Sequence, residues 1–557
     1  MTASPALAES RSASRFSGIG VRGFLYGALA IVLALQVELV FSKSVNWDEF
    51  FHFSQINQHL LGRPAPWLQS PFVALFSWVP GLPGDNIAHI QLIRLLILPF
   101  EVIAIAAIVA TARRFASFET ALLCGLLYAT GGYVFLHAFA LRADMIAAAL
   151  LAVAMWIGLC RPLRALEIAA ILLLLALAFV STIKTVLYAP AFLGIALYRL
   201  ENLKSRFALA AMACAAVLVG VFLLWGAPHL PTGGLTGRLR EMGELGNDAA
   251  GRMFGDGLFH QMWALQKQVL FAPLLAAAIL LAFTHACKPG RDPMERVLLL
   301  SLLAPLATVA IYRNAFPYHF AFILPPAMVA VAPAIGPAIR RFGAVLPGAI
   351  LLASALLLSF VEDRSVLPRQ RVIIAGIHTI FPKPVTYIDN SGMAGDFPRA
   401  INHFASGWGL EIYHRSGEPL YGQAMAAEPV PMLLANNAIL QNPFFKLDLD
   451  YGLLPADERM LRENYIPHWG YVFVAGRAFS AGADPVTWRV AVPGTYTVEG
   501  GDMVIDGKLR TKGSLVRLAR GDHLIAGGRT SAVTLRWGDH LARPAVPWPD
   551  GALFTVY

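Results

Sequence analysis

Charge is scarce in this sequence. Asp, Glu, Lys and Arg make up 14% of its 557 residues, whereas soluble domains carry about a quarter, which excludes an ordinary soluble globular chain. Cysteine is scarcer still: Cys124, Cys160, Cys214 and Cys287 all lie in or beside apolar runs, with no CxxC spacing. A disulfide framework is excluded and a cysteine metal cluster unsupported. No internal repeat is present. The formal charge of +9 does not mark a nucleic-acid binder, because it is unevenly placed. From residue 361 onward there are 19 Lys/Arg and 19 Asp/Glu, which leaves 25 and 16 of the totals 44 and 35 for the first 360. The excess therefore belongs to short loops between apolar runs, the pattern of cytoplasmic loops in membrane proteins and not of a nucleic-acid surface.

What the chain has instead is long apolar runs, each near the roughly 18 residues that span a bilayer. They predict spans near 24–41, 89–111, 118–138, 145–160, 165–182, 185–198, 207–226, 268–286, 297–312, 318–336 and 342–360, the sixth being short. Arg11, Arg15 and Arg22 precede the first run and place the N-terminus in the cytoplasm. A cleaved signal peptide is the alternative, but its apolar core is too long and "FSKSV" is a poor cleavage site. Arg113/Arg114, Arg161/Arg164, Arg199/Lys204/Arg206, Lys288/Arg291/Arg296 and Arg340/Arg341 then fall at alternate turns. An odd number of spans puts residues 361–557 outside. "GIGVRG" at 18–23 matches GxGxxG but precedes a span instead of joining strand to helix, so it carries no nucleotide reading.

With that sidedness, the remaining ionisable residues near the membrane gather at outer ends: Asp48 and Glu49 in "SVNWDEFFHF", Arg142 and Asp144 in "FALRADMIAAALL", Lys184 in "AFVSTIKTVLYAP", and Arg313 and His319 in "YRNAFPYHFAFILPP". Ionised groups beside lipid are costly and mark function by default. Bland alternatives exist for each. Lys184 and Arg313 suit interfacial anchors, Arg142 and Asp144 a local ion pair, and Asp48 and Glu49 a helix-start cap. Residues 47–61, with Trp47, Phe50, Phe51, Ile56, Leu60 and Leu61 on one face, predict an amphipathic helix lying on the membrane. Residues 227–267 predict a glycine-rich outer loop long enough to cover a site.

At these residues the chain resembles the GT-C superfamily of polyprenyl-phosphate-sugar-dependent glycosyltransferases, in particular the protein O-mannosyltransferase and lipid A aminoarabinose or galacturonic acid transferase group. The resemblance spans about residues 20–340 and rests on the Asp48–Glu49 pair after the first span, the "RADM" turn, the Lys184 segment and the "YRNAFPYH…LPP" turn. One departure is clear: where relatives place a basic or histidine residue before a proline pair, this chain has Gln69 and Ser70 before Pro71.

The resemblance implies a polytopic α-helical membrane protein, GT-C-like with about 11 transmembrane helices, in residues 1–360. It also implies a multi-pass location in the bacterial inner membrane with the C-terminal domain periplasmic, and a role in the cell envelope such as lipopolysaccharide modification. The expected reaction moves a monosaccharide from a polyprenyl-phosphate-linked donor to a lipid, glycan or protein hydroxyl. Such transfer needs a base for the hydroxyl and cations for the charge growing on phosphate. Asp48 is the candidate base, with Glu49 orienting it or a sugar hydroxyl, since neighbours on a helix point about 100° apart. Lys184, Arg313, Arg142 and His319 are candidates for the phosphate, with Asp144, Tyr318 and His52 in support. One base and no covalent nucleophile predicts inversion. No cofactor is expected and no metal-ligand set is evident.

The tail, 361–557, predicts a soluble α/β portion over 361–480 and a β-sandwich over 485–557, where "TWRVAVPGTYTVEGGDMVIDG" alternates in period two. A transporter or flippase of lipid-linked sugars is the rival class, but it calls for repeats and mid-span charges. A non-catalytic membrane assembly factor is the other, and it would tolerate Asp48→Asn.

Overall fold

Apolar runs that cannot stay in water fold here into helices whose two ends differ in charge. The computed structural model describes residues 5–63, 70–200, 257–402, 407–449, 451–482, 484–528 and 531–555. The departure at Gln69, the run 207–226, Cys214 and most of the 227–267 segment lie outside the described residues. The first helices are α1 (Pro5–Ser42), α2 (Trp47–Leu60), α3 (Ser70–Leu75), α4 (Asn86–Ala112), α5 (Phe118–Ala129), α6 (Tyr133–His137), α7 (Ala143–Cys160), α8 (Ala165–Ser181) and α9 (Ala189–Leu200). Among the described residues, 5 helices are long and apolar enough to cross a membrane, or up to 7 if each bent pair counts as one span. The chain is thus a multi-pass membrane protein.

Several predicted spans are broken, for local reasons. The run 118–138 divides into α5 and α6 at Gly131 and Gly132, where Gly132 takes φ 60°. The Gln268 side chain seals the break, accepting from Tyr133 N and donating to Gly131 O, both at 2.9 Å. A Cβ on Gly132 would lie 2.9 Å from Gln268 Oε1. Irregular backbone at membrane depth persists only where such partners exist. Run 268–286 is bent by 102° between Met262–Phe271 and Pro273–Ala286, at a proline that cannot donate a helical hydrogen bond. Run 185–198 begins as a 3₁₀ segment, Ile183–Tyr188, before α9.

At one pole of the bundle basic residues meet helix ends. Arg22 pairs with Glu119 at 2.6 Å, Arg114 donates to Leu159 O at 2.5 Å, and Arg199 donates to Arg161 O at 3.0 Å. The opposite pole carries the tail. There Lys43, at the end of α1, pairs with Glu362 after helix Val345–Val361 at 2.6 Å.

The tail's strands are β1 (Tyr387–Ile388), β2 (Met432–Leu434), β3 (Tyr465–Trp469), β4 (Val472–Phe479), β5 (Val486–Val490), β6 (Gly494–Glu499), β7 (Met503–Ile505), β8 (Lys508–Arg510), β9 (Leu515–Leu518), β10 (Gly521–Ala526) and β11 (Val533–Trp537). One sheet runs β1-β2-β4-β11-β6-β9, with β3 also on β4; the other runs β5-β10-β7-β8. Trp488, Tyr496, Val498, Val516, Ile525 and Leu535 pack between them. β4 pairs with β2 through Val472–Val474 and with β11 through Gly476–Phe479. A single eight-residue strand therefore belongs to both tail portions, and the sheet runs across the division expected near residues 480–485.

The tail docks on α2. Gln55 and Asn402 exchange side-chain hydrogen bonds at 2.6 and 3.1 Å, and Gln58 donates to Phe397 O at 3.3 Å. Arg63 grips Glu428 with both terminal nitrogens, at 2.9 and 2.8 Å. Gly392, at φ 76°, passes so close that a Cβ would lie 2.5 Å from Ser54 Oγ. The polar face of the expected amphipathic helix packs against the tail: Ser54, Gln55, Asn57 and Gln58 are buried, with Gln55 and Gln58 met by Asn402, Phe397 and Arg399 and Asn57 Nδ2 without a partner among the described residues.

Candidate active site

Asn46 caps α2, its side chain accepting from Asp48 N at 3.0 Å while Glu49 reaches back to Asn46 N at 3.1 Å, the reciprocal arrangement of a capping box. Glu49 then turns inward. Its carboxylate receives Arg94 Nε at 2.8 Å and Arg94 Nη2, and the backbone N–H of Leu141 at 2.9 Å. Burial alone would raise the Glu49 carboxyl, but Arg94 and the two backbone donors outweigh it and hold it below its ordinary value. Arg94, itself buried, also donates to Val40 O, Lys43 O and Ser44 O at 3.3, 3.0 and 2.8 Å. Those carbonyls close α1, at the negative end of its dipole. One guanidinium thus ties the end of α1 to the start of α2.

Asp48 faces the other way. Its Oδ2 receives Arg142 Nη1. Arg142 Nε donates to Asp144 Oδ2 at 2.9 Å, and Lys184 Nζ donates to Asp144 Oδ1 at 2.6 Å. Three elements meet in this chain of alternating charge: α2, the first turn of α7, and the 3₁₀ segment Ile183–Tyr188, where Thr182 caps Lys184 N at 3.4 Å. Asp144 suits a helix N-terminus, where acids are favoured. Tyr318 covers the cations, its ring centroid 3.3 Å from Arg142 Cζ and 4.8 Å from Lys184 Nζ, as cation–π attraction favours.

His52 follows Asp48 by four residues, so both share a face of α2. Burial, then the charge of Arg142, pushes its imidazole down to about 3, and its Nδ1 has no hydrogen-bond partner among the described residues. His319 is fully buried, 4.8 Å from the Tyr312 ring, with Nε2 3.1 Å from Thr308 Oγ1 and Nδ1 without a described partner. Its charged neighbours are Lys184, Asp144 and Arg142.

The sequence-predicted residues therefore divide. Asp48, Arg142, Asp144, Lys184 and Tyr318 join directly, while His52 and His319 face the same charges. Glu49 lies behind the site with both oxygens engaged. Arg313 turns to Glu411 on the tail helix Gly407–Ser416, and none of its described contacts reaches the Asp48 chain. Sequence reasoning missed Arg94, although a lone arginine inside the apolar run of α4 was the signal for it. It also missed the buried pair Gln36–Glu101, 3.0 Å apart inside the bundle. Among the described residues no three His, Cys, Asp or Glu side chains gather as metal ligands.

No family model matches the sequence, and comparison with curated proteins finds no match. Solved structures do match. ArnT from Cupriavidus metallidurans bound to undecaprenyl phosphate aligns at TM-score 0.51 and 12% identity, covering 76% of this chain and 95% of that one. The chain has a GT-C fold. Other GT-C neighbours are the archaeal oligosaccharyltransferase AglB from Archaeoglobus fulgidus, in complex with an inhibitory peptide and a dolichol-phosphate (0.48, 10%, covering 94% and 97%), and arabinofuranosyltransferase AftD from Mycobacteria (0.43, 13%, covering 93% and 42%). In this GT-C fold the Asp48–Lys184 charge chain occupies the tail-bearing pole of the bundle.

Proposed function

We propose that the protein is a membrane glycosyltransferase that moves a monosaccharide from a polyprenyl-phosphate donor to a hydroxyl acceptor at the outer face of a bacterial inner membrane. The observation that carries this reading is the chain Asp48–Arg142–Asp144–Lys184, which holds two carboxylates and two cations together at one pole of apolar helices. It is supported by a fold shared with a protein that binds undecaprenyl phosphate. The donor's lipid lies among the helices and its phosphate reaches Arg142 and Lys184, with His319 beside them.

Asp48 takes the proton of the acceptor hydroxyl. The acceptor oxygen bonds to the anomeric carbon as the bond from that carbon to the phosphate oxygen breaks, and the electron pair leaves with the phosphate. Arg142 and Lys184 meet that growing charge, and the configuration inverts. Neutral His52 offers a hydrogen bond to a sugar or acceptor hydroxyl. Glu49 positions Asp48 and touches no substrate. Arg313, held by Glu411, contributes through the tail. Residues 1–360 form the catalytic module and 361–557 an extracytoplasmic domain that braces α2.

The test is incubation of purified protein in lipid nanodiscs with several polyprenyl-phosphate sugars and membrane lipids, glycans or peptides, followed by mass spectrometry of the products. A hexose, pentose or uronic acid increment with inverted configuration supports the reading. No increment with any donor, or retained configuration, overturns it.

A further inference from the structure

The cations that would receive a phosphate are already occupied. Asp48, Arg142, Asp144 and Lys184 sum to zero charge, and Arg142 spends its Nη1 on the carboxylate assigned as base. While Arg142 Nη1 donates to Asp48 Oδ2, that oxygen is engaged and not open to the hydroxyl of an acceptor. The base and the phosphate therefore compete for one group.

We propose that Arg142 is an exchangeable clasp: the donor's phosphate displaces Asp48 from the guanidinium, so donor binding itself releases the base, and the acceptor is activated only after the donor is in place. This rests on the glycosyltransferase reading. The geometry favours exchange at one end of the side chain only. Arg142 Nε stays on Asp144 at 2.9 Å, and the Tyr318 ring fixes the guanidinium plane at 3.3 Å. The guanidinium then keeps its place while a phosphate oxygen replaces Asp48 Oδ2 on Nη1, and a planar fork suits the two oxygens of a phosphate. Lys184 differs, since its ammonium is a point charge donating to Asp144 at 2.6 Å, whereas the fork of Arg142 bridges Asp144 and Asp48. Asp48 is carried on α2, whose start is locked through Glu49 and Arg94, so only its side chain rotates off the guanidinium and the carboxylate stays at this pole. The consequence is an ordered reaction in which the base is masked until a donor arrives.

A double-mutant cycle on binding of undecaprenyl phosphate, the donor's leaving group, tests the exchange in full-length protein in nanodiscs. Asp48→Asn should bind this probe about tenfold tighter than wild type, as coupled charged neighbours do, and Arg142→Gln should bind it more weakly. In the Arg142→Gln background, Asp48→Asn should change affinity by no more than about twofold. Equal tightening in both backgrounds would reflect only the removal of a negative charge and would overturn the clasp, while leaving the glycosyltransferase reading intact. No tightening in either background overturns it equally. Failure of every form to bind the probe overturns both readings. Asp48→Ala repeats the cycle if Asp48→Asn does not hold its fold, which size-exclusion elution and the melting curve report.

Discussion

Replacing Arg94 with methionine keeps the side chain's bulk and removes its five donors. The structure gives the cost. Glu49 keeps its buried position but loses both contacts from the guanidinium, and Val40, Lys43 and Ser44 lose a donor to their carbonyls. Removing one partner of a buried pair costs about 3–5 kcal/mol, because the remaining charge stays buried. A shift of that size lowers the melting temperature by roughly 3–4 °C for a chain of 557 residues. Turnover should fall further than stability alone explains. Glu49 also fixes Asn46 N and Leu141 N, the neighbours of Asp48 and Arg142, and displacement of a reacting group by about 1 Å costs on the order of a hundredfold. The assay pairs a melting curve in nanodiscs with glycosyl transfer at a temperature where the variant is folded. Adding Glu49→Gln to Arg94→Met removes the stranded charge, so part of the melting temperature should return while turnover stays low. Wild-type melting and turnover in Arg94→Met would refute the assignment of Arg94 and Glu49 as the positioning pair.

Asp48→Asn should lower turnover by about 10²–10⁴, the usual contribution of a general base, without lowering the melting temperature by more than a few degrees. The pH dependence of stability separates two groups. Unfolded His52 gains a proton near 6.5 and the folded imidazole only near 3, so the folded state loses about 1.4 kcal/mol per pH unit below 6.5, and His52→Asn should flatten that limb of the melting curve. Glu49, whose folded value lies below the ordinary 4.5, contributes stability above 4.5 that vanishes as pH falls through the folded value; Glu49→Gln should remove a limb seen only below 4.5. In the tail, Arg399→Met removes the cation 3.3 Å from Asp389, a buried carboxylate that keeps donors from Gly392 N, Met393 N and Asn436 Nδ2; a loss of about 3 kcal/mol, the low end for a broken buried pair, is expected, read as earlier protease cleavage between residues 380 and 430.

Much of the site was legible because charge beside lipid is rare enough that each residue carries information. Asp48, Arg142, Asp144 and Lys184 come from three separate turns, yet sidedness inferred from loop arginines already brought them to one pole. Two bland alternatives also held locally. Glu49 does belong to a helix-start cap, and Arg142 and Asp144 do pair, but Arg142 pairs with Asp48 as well, which adjacency could not show. The fate of Arg313 was hidden because its partner, Glu411, lies 98 residues away in a soluble segment, where acids are unremarkable. Likewise the polar face of α2 was assigned to water, since nothing in "SQINQHL" says that Asn402 will cover it. Breaks in the spans depended on Gln268, a residue from a different run, filling the gap at Gly131.

The partners that enclose α2 lie far from it along the sequence. Gln55 and Asn402 are 347 positions apart, and Arg63 and Glu428 are 365 apart. At roughly 5–20 residues per second of synthesis, the helix bearing Asp48 emerges on the order of half a minute before the groups that cover it. Through that interval the bundle can insert and pack while α2 has only its inner contacts. Enclosure of α2 is then a late event in the life of the chain, reached once the segment that carries Asn402 and Glu428 has been made.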